Sequence, residues 1–248
     1  MWSPGGASRP SVHEKGHLVY AASGVLAVHT DGSTAVVPAN RVAWTPSGVT
    51  HRHRAHGDTD MRIVFLAPEL ASLLPERPAV FLASALAREI LLALTDAHGD
   101  QPAGPARSSA SLDRLVRVLV DELDETHEQP LCLPEPRDDR LRAIADRLGD
   151  DPSDGSSLAE LGRAAGASSR TLSRLFRDEF GMSFYEWRTQ LRIYHALVLL
   201  AEGRDVNQTA HACGWSNPSS FIAAFTRLVG TSPGRHRTAG SRRRALLV

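Results

Sequence analysis

The sequence predicts an α+β chain in two parts: a small antiparallel β-barrel followed by helices, then an all-α pair of helix-turn-helix units. Three observations carry this. Residues 12–66 hold short Val, Tyr, Leu and Ile runs broken by turn signals, at the spacing of about ten residues seen in small barrels and sandwiches. Residues 157–237 carry one helical pattern twice, and a fixed internal period marks a repeated structural unit. The charge is split as well. Residues 157–248 have 13 arginines against six acids, and since the 248-residue chain has 28 basic and 28 acidic side chains, residues 1–156 carry 15 against 22. A neutral total therefore hides a basic C-terminal part suited to phosphate contact.

The length allows two modest domains, each with its own core. Met1 to Pro10 is rich in Gly, Pro and Ser and lacks an apolar stretch, and no run reaches the roughly 18 apolar residues of a membrane span. The expectation is a cytoplasmic protein with no membrane partner. Cys132 and Cys213 stand far apart with no CxxC spacing, which points neither to a disulfide framework nor to a structural zinc site. Cys213 is expected to be a small core residue.

In chain order, the predicted strands are His17 to Tyr20, Val25 to His29, Ala35 to Val37, Arg41 to Trp44 and Arg62 to Leu66. Ser23-Gly24, Asp31-Gly32 and Pro46-Ser47-Gly48 are the turns between them, and Asp31-Gly32 is a hairpin signal. The stretch Pro46 to His51 resembles the second cupin motif, PxGxxH. The first cupin motif, HxHxxxE followed six residues later by Gly, lies over Ser11, His13, His17 and Gly24, with Ser11 in place of the first histidine and His17 in place of the glutamate. The resemblance implies that His13, His17 and His51 point into one pocket. Three imidazoles with an open position suit a divalent transition metal such as zinc. The alternative is a metal-free pocket for a small organic effector, lined by vestigial cupin positions. His53 and His56, set among Arg52 and Arg54, are expected to face solvent. Tyr20, Trp44 and Phe65 lie on apolar strands and are expected in the core, although Tyr20 and Trp44 are also candidates to stack on an effector.

Beyond Pro68 the pattern turns helical. Pro78 to Ala97 and Ser111 to His127 are amphipathic segments separated by a Gly/Pro loop, and the second shows a stripe of Leu112, Leu115, Val116, Leu119 and Leu123. Gln129 to Arg137, with three prolines, reads as a linker. Arg140 to Leu148 is expected to be the first helix of the C-terminal part.

The repeat follows. The first copy, LAELGRAAGASSRTLSRLFRDEFG, turns at Gly166 and stops at Gly181; the second, VNQTAHACGWSNPSSFIAAFTRLVG, turns at Gly214 and stops at Gly230, with Phe176 and Phe225 in matching places 49 positions apart. Leu158, Leu161 and Ala165, and Val206, Thr209, Ala210 and Cys213, form narrow apolar faces. Ser168, Ser169 and Asn217 can open helices. Leu172, Leu175 and Phe176, and Phe221, Ile222 and Phe225, are predicted inward. Ser169, Arg170, Arg174 and Arg177, and Ser219, Ser220, Ala223 and Arg227, are predicted outward, a face that fits a major groove. From Phe184 to Glu202 there is no Gly or Pro, which predicts one continuous helix of roughly 28 Å. Trp187, Leu191, Tyr194, Val198 and Ala201 recur along it at spacings of three or four. Such a strut can hold two recognition helices about one DNA turn, on the order of 34 Å, apart.

The LxRLF pattern at Leu172 to Phe176, Gly181 and Ser183, the W...R...A..LL run from Trp187 to Leu200, and A...GW.N.S.F...F.R..G.SP ending at Ser232 and Pro233 resemble the AraC/XylS family of bacterial transcription regulators. About a third of the chain, Leu158 to Arg237, carries the resemblance. It implies a cupin-like sensing barrel over residues 1–75, a helical dimerisation segment over 76–128, a linker over 129–138 and a DNA-binding domain over 139–248. Double-stranded DNA, a second copy of the chain, a small-molecule or metal effector and RNA polymerase are the partners it implies. The DNA-binding set is Ser169, Arg170, Thr171, Arg174, Arg177, Asn217, Ser219, Ser220, Ala223, Arg227, Arg235 and Arg237; the effector set is His13, His17, Tyr20, Trp44 and His51. The second recognition helix has an unusually small outer face, which leaves it to backbone and thymine methyls and gives sequence choice to the first unit. By analogy with short-cupin members, the target is a neighbouring transporter, efflux or metabolic gene. A rival reading is a metal-dependent cupin enzyme fused to a DNA-binding tail, but no paired carboxylates, nucleophile motif or phosphate loop supports catalysis, so no enzyme is expected. A third is a ligand-free barrel that only dimerises.

Overall fold

A computed structural model describes residues 7–95, 108–126 and 131–237. They fall into two compact units, Met1–Asp31 with Ala35–Pro130, and Gly32–Thr34 with Leu131–Val248. The helix ends predicted at Ala97 and His127, the loop between them, and Gln129 and Pro130 of the predicted linker lie outside the described residues.

The N-terminal unit is a cupin-like half-barrel with helices. Its strands are β1 (His17–Thr30), β2 (Ser33–Pro38), β3 (Arg41–Thr45), β4 (His51–Phe65) and, after the short helix α1 (Pro68–Ala71), β5 (Ala79–Leu82). They run in the order β5-β3-β1-β2, and β4 also pairs with β1. The two predicted runs His17–Tyr20 and Val25–His29 are one strand. Ser23-Gly24 is not a turn but a bulge, where the β1/β4 register shifts between Ala21 and Val25. Gly24 has φ 77°, and a Cβ there would stand 2.3 Å from Thr59 Oγ1 and 2.8 Å from the Asp58 carbonyl oxygen, so the kink needs glycine. Asp31-Gly32 turns β1 into β2 as the hairpin signal implies, with Gly32 at φ 88°. β4 extends far beyond the predicted Arg62–Leu66 run. Its first half alternates buried His51, His53 and Ala55 with exposed Arg52 and Arg54, a period of two that the surrounding polar residues obscure.

β1, β3, β4 and β5 each feed two cores. Leu18, Tyr20, Val42, Trp44 and Phe81 pack with Ile90, Leu91, Leu119, Val120 and Leu123 of the helices, while Val19, Ala21, Leu26, Val28, Val37, Ala43, Ala55 and Val80 pack on the opposite face. The helices are α2 (Ala85–Thr95) and α3 (Ser109–Asp124), the latter capped by Ser108, which accepts from the Ser111 N–H. The predicted start of the first at Pro78 is corrected: Ala79–Leu82 is strand, paired with Arg41–Trp44, because the apolar run Ala79-Val80-Phe81-Leu82 is buried against β3 before Ser84 can open a helix.

The C-terminal unit begins with β6 (Cys132–Pro134), inside the stretch predicted as linker, and α4 (Asp139–Asp150). The first helix-turn-helix is α5 (Leu158–Ala164) and α6 (Ser169–Phe180); α7 (Phe184–Ala201) follows, then α8 (Val206–Ala212) and α9 (Pro218–Val229). Local chemistry sets nearly every boundary. Ser157 and Ser183 form capping boxes with Glu160 and Glu186, Ser168, Asp205 and Asn217 cap α6, α8 and α9, and Gly181 and Gly230 end the recognition helices in left-handed conformation. The first unit's core joins Leu141, Ile144 and Leu148 to Leu161, Leu172, Phe176, Phe184 and Trp187. Leu175 is only partly buried at its edge.

The predicted continuous helix exists as α7, but its buried face follows the recurring positions only in part. Phe184, Trp187, Arg188 and Leu191 are buried in its first half and Ile193, Ala196, Leu197 and Leu200 in its second, whereas Tyr194, Val198 and Ala201 are half-buried. The buried face therefore moves round the helix. The first set joins the core of the first unit, and α7 also packs on α8 and α9, so one helix serves two small cores in succession.

Candidate nucleic-acid interface and metal centre

Three chain segments bring the histidines together. The segment before β1 runs alongside the start of β4: Ser11 and His51 exchange backbone hydrogen bonds at 2.8 and 3.0 Å, and the Gly48 N–H donates to the His13 carbonyl at 3.0 Å. β1 supplies His17 and β4 supplies His51. Their ring centroids lie 5.1 Å apart for His13 and His17, 5.2 Å for His13 and His51, and 4.7 Å for His17 and His51. One ligand nitrogen from each lies within 4.8 Å of the others.

Ring electrostatics favour lone-pair donation. The His51 Nδ1 faces the Val49 carbonyl at 3.0 Å; a carbonyl only accepts, so this nitrogen carries the proton and Nε2 the lone pair. The His51 Nε2 and both ring nitrogens of His17 are buried without a well-formed hydrogen bond, the Lys15 backbone giving the His17 ring only a minor interaction; such an arrangement costs about 1–3 kcal/mol per group unless something else engages them. Burial first, then the neighbouring histidines, pushes His17 down to about 3, so its ring is neutral at physiological pH. Ligand nitrogens of a tetrahedral zinc site with bonds near 2.0 Å stand about 3.3 Å apart, against separations of up to 4.8 Å here. The donor set fits a divalent transition metal.

Three expectations change here. His53 is 5 % exposed, not solvent-facing. Its ring lies 5.0 Å from His51 and 6.1 Å from His17, and burial, with His51 and His13, pushes it to about 4. Tyr20 and Trp44 lie in the core, as expected, but away from the histidines: alternation sends them to the opposite face from His17, where the Tyr20 hydroxyl donates to the Ala39 carbonyl and the Trp44 indole N–H to that of Pro75. Phe65, expected in the core, is half exposed and packs edge-on to His13 at 5.3 Å and against His17 at 5.4 Å. It is the aromatic beside the cluster.

In the C-terminal unit, Ser169, Arg170, Arg174 and Arg177 of α6 are exposed, as are Asn217, Ser219, Ser220, Ala223 and Arg227 at α9. Thr171 is half-buried, its N–H held by the Ser168 hydroxyl, and Asn217 Oδ1 is occupied by the Ser219 N–H at 2.8 Å. Arg235 is exposed and Arg237 half-buried. Glu186 is held below the usual carboxylate range by the Ser183 cap, helped by Arg227 and Arg177, which places an arginine from each recognition helix near the start of α7. Ile222 is corrected: it lies outward, 39 % exposed, because the buried row of α9 is Phe221, Phe225 and Val229. Ser173 and Thr226 are also exposed, on α6 and α9, and were not singled out by pattern. Cys213 is a buried core residue whose thiol burial pushes up to about 12, so it is inert.

Two further arginines hold the unit together. Arg188 donates to the carbonyls of Ser156 and Asp154, and Arg192 to those of Pro152 at 2.9 Å and Asp154 at 3.2 Å. The Arg192 guanidinium also lies over the Trp215 ring, 5.6 Å from its centroid, beside Gly214 at the turn of the second helix-turn-helix. The loop before the first unit and the turn of the second thus meet on one side chain of α7.

The helix-turn-helix domain family matches residues 161–239 and the cupin domain family residues 1–67. The HTH-type transcriptional regulator NimR of Escherichia coli K12 is 30 % identical over 224 residues, 90 % of this chain and 80 % of that protein. The chain belongs to the AraC/XylS family of transcriptional regulators. Two regulators named RipA, from Corynebacterium glutamicum and Corynebacterium diphtheriae, are 39 % identical over 106 residues and 36 % over 139. The chain spans 31 % and 41 % of their lengths. As a member of this family the chain is a sequence-specific DNA-binding regulator with a cupin-like sensory domain, and the relatives it matches are transcriptional regulators. Among the described residues no helix is long and apolar enough to cross a membrane.

Proposed function

We propose that the chain is an effector-responsive regulator whose N-terminal cluster, His13, His17 and His51, holds a divalent transition metal such as zinc, and whose α6 and α9 read successive major grooves of double-stranded DNA. The observation that supports the metal reading is the His17 ring, buried beside two other imidazoles with neither nitrogen in a well-formed hydrogen bond. A bound ion supplies a fixed positive charge and a coordination link among three segments of chain. The protein's part is to keep the His17 ring neutral by burial, to aim His51 Nε2 through the Val49 carbonyl, and to carry His13 in on backbone hydrogen bonds to β4. In this reading the DNA-binding set is that of the sequence: Arg170 and Arg174 reach guanine edges, and Arg177, Arg227, Arg235 and Arg237 reach phosphates. In this reading the chain acts as a homodimer, contacts RNA polymerase, and controls a neighbouring transporter, efflux or metabolic gene, by analogy with its family.

The test uses full-length protein purified without a tag and a duplex that it selects from a random pool. Elemental analysis should find about one zinc per chain, and DNA affinity should differ with and without a chelator. The double variant His17→Ala with His51→Ala should lose the metal and bind DNA at the metal-free affinity under both conditions. Equal zinc content in wild type and double variant would remove the cluster from the mechanism. Absence of metal with a normal response to an organic ligand in the double variant would move the effector site elsewhere in the barrel.

A further inference from the structure

We propose that the second helix-turn-helix unit chooses sequence itself, by apolar contact between Ile222 and thymine methyl groups. The inference rests on the reading of α9 as a recognition helix. With Asn217 capping α9 and Phe221, Phe225 and Val229 forming its buried row, the exposed arc is Ser219, Ser220, Ala223, Thr226 and Arg227, and Ile222 stands at its edge, between Val229 and Thr226. Ile222 is the one large apolar side chain on or beside this arc, and it is 39 % exposed.

The repeat supplies the comparison. Counting 49 positions back, Ser219 corresponds to Arg170, Ile222 to Ser173 and Ala223 to Arg174. At the matched positions α6 is therefore cationic, with Arg170 and Arg174, while α9 is small and uncharged, with Ser219 and Ala223 and the apolar Ile222 beside them. Among base edges in the major groove only thymine presents an apolar group, its C5 methyl, whereas guanine presents two acceptors that Arg can bridge. Ser219, Ser220 and Ala223 are short enough to let the helix approach, and Arg227 follows on the same helix to hold phosphate. The two units then read by different chemistries: guanine acceptors by α6, thymine methyls by α9.

The experiment uses the full chain and the duplex it selects from a random pool. Each thymine is replaced in turn by deoxyuridine, which removes the methyl and leaves the hydrogen-bonding edge intact. Wild type should lose about fourfold in affinity at one or two thymines of one half-site, the value expected for one buried methyl. Ile222→Ala should bind the thymine duplex more weakly by a similar factor and show no further loss with deoxyuridine at those positions. Thymines in the other half-site should behave alike in both proteins. Ile222 is exposed, so its variant should keep the wild-type melting temperature. If the Ile222→Ala protein loses the same factor as wild type on deoxyuridine substitution, or wild type loses nothing at any thymine, the inference is overturned while DNA binding stands. If no duplex is enriched at all, the recognition-helix reading beneath it fails.

Discussion

Replacing Arg192 by alanine should damage the DNA-binding unit out of proportion to an ordinary half-buried side chain. Its guanidinium makes hydrogen bonds to the Pro152 and Asp154 carbonyls and lies over the Trp215 ring. A hydrogen bond from a charged donor contributes about 1.5–3 kcal/mol, and a cation over an aromatic face about 0.5–1 kcal/mol at an exposed site. The Asp154 carbonyl keeps its bond from Arg188, so only the Pro152 carbonyl loses its partner. Partial exposure argues for the low end, and the expected loss is about 2–4 kcal/mol. Urea unfolding of the full chain, followed by near-ultraviolet circular dichroism, should show the C-terminal transition at lower denaturant. A second readout tests the link between the two units rather than stability alone. Duplexes with one base pair added or removed between half-sites should be rejected by wild type and discriminated less by Arg192→Ala. Arg192→Lys keeps the charge but offers no fork, and should fall between. A loss under 0.5 kcal/mol with unchanged spacing preference would refute the tie.

Gly166 and Gly214 occupy equivalent turns with φ 67° and 78°, yet their alanine variants should differ. Gly166→Ala meets open space and should cost about 1 kcal/mol for the left-handed backbone, while Gly214→Ala places a Cβ 2.6 Å from Arg192 Nη2 and 3.0 Å from Ser153 Cα, so melting of the two variants should rank them clearly. Acid should destabilise both units in the metal-free protein. His236, packed on Phe225 at 5.8 Å, is pushed to about 4 by burial, and His17 and His53 to about 3 and 4. Since each binds its proton more readily unfolded than folded, stability is complete above about pH 6.5 and falls toward pH 3–4, at up to about 1.4 kcal/mol per pH unit per group. His236→Phe should flatten that slope for the C-terminal unit in pH-dependent unfolding. Gly24→Ala should erase the β1 bulge and cost zinc binding while leaving DNA affinity of the metal-free chain unchanged, which elemental analysis and gel shift would measure together.

The C-terminal half was legible because its signals are local. Ser157, Ser168, Ser183, Asp205 and Asn217 cap helices within three residues of the groups they satisfy, and Gly181 and Gly230 stop helices by their own backbone freedom. What pattern could not supply was orientation around a helix that serves more than one neighbour. Period alone put Ile222 beside Phe221 and Phe225, but twelve residues of α9 bury a narrow row, and Ile222 lies off it. The same holds for α7, where the recurring spacing predicted one helix but not that two successive faces are buried. In the sequence Arg188 and Arg192 entered only the arginine count and the motif run of a basic segment; their partners are carbonyls 32 to 40 positions earlier, and no local rule points that far.

The histidine cluster shows the same limit from the other side. The motif spacing named His13, His17 and His51, but whether they share a face depends on β1, where side chains alternate. Before the bulge the residues facing the smaller core are odd, Val19 and Ala21; after it they are even, Leu26 and Val28. Without that change His17 would share a face with Val25 and Ala27 rather than with Leu26 and Val28, and the partners of Val28 and Thr30 across β4 are His53 and His51. One glycine kink therefore aligns the histidines of two strands, and the residue that made Ser23-Gly24 look like a turn is the one that keeps the strand continuous. His53 enters the cluster by the same register, two residues from His51 on a strand of period two. Its place could have been read from the alternation His51, His53, Ala55 had that run been taken as strand, and it was hidden because Arg52 and Arg54 on the other face made the segment look solvated throughout.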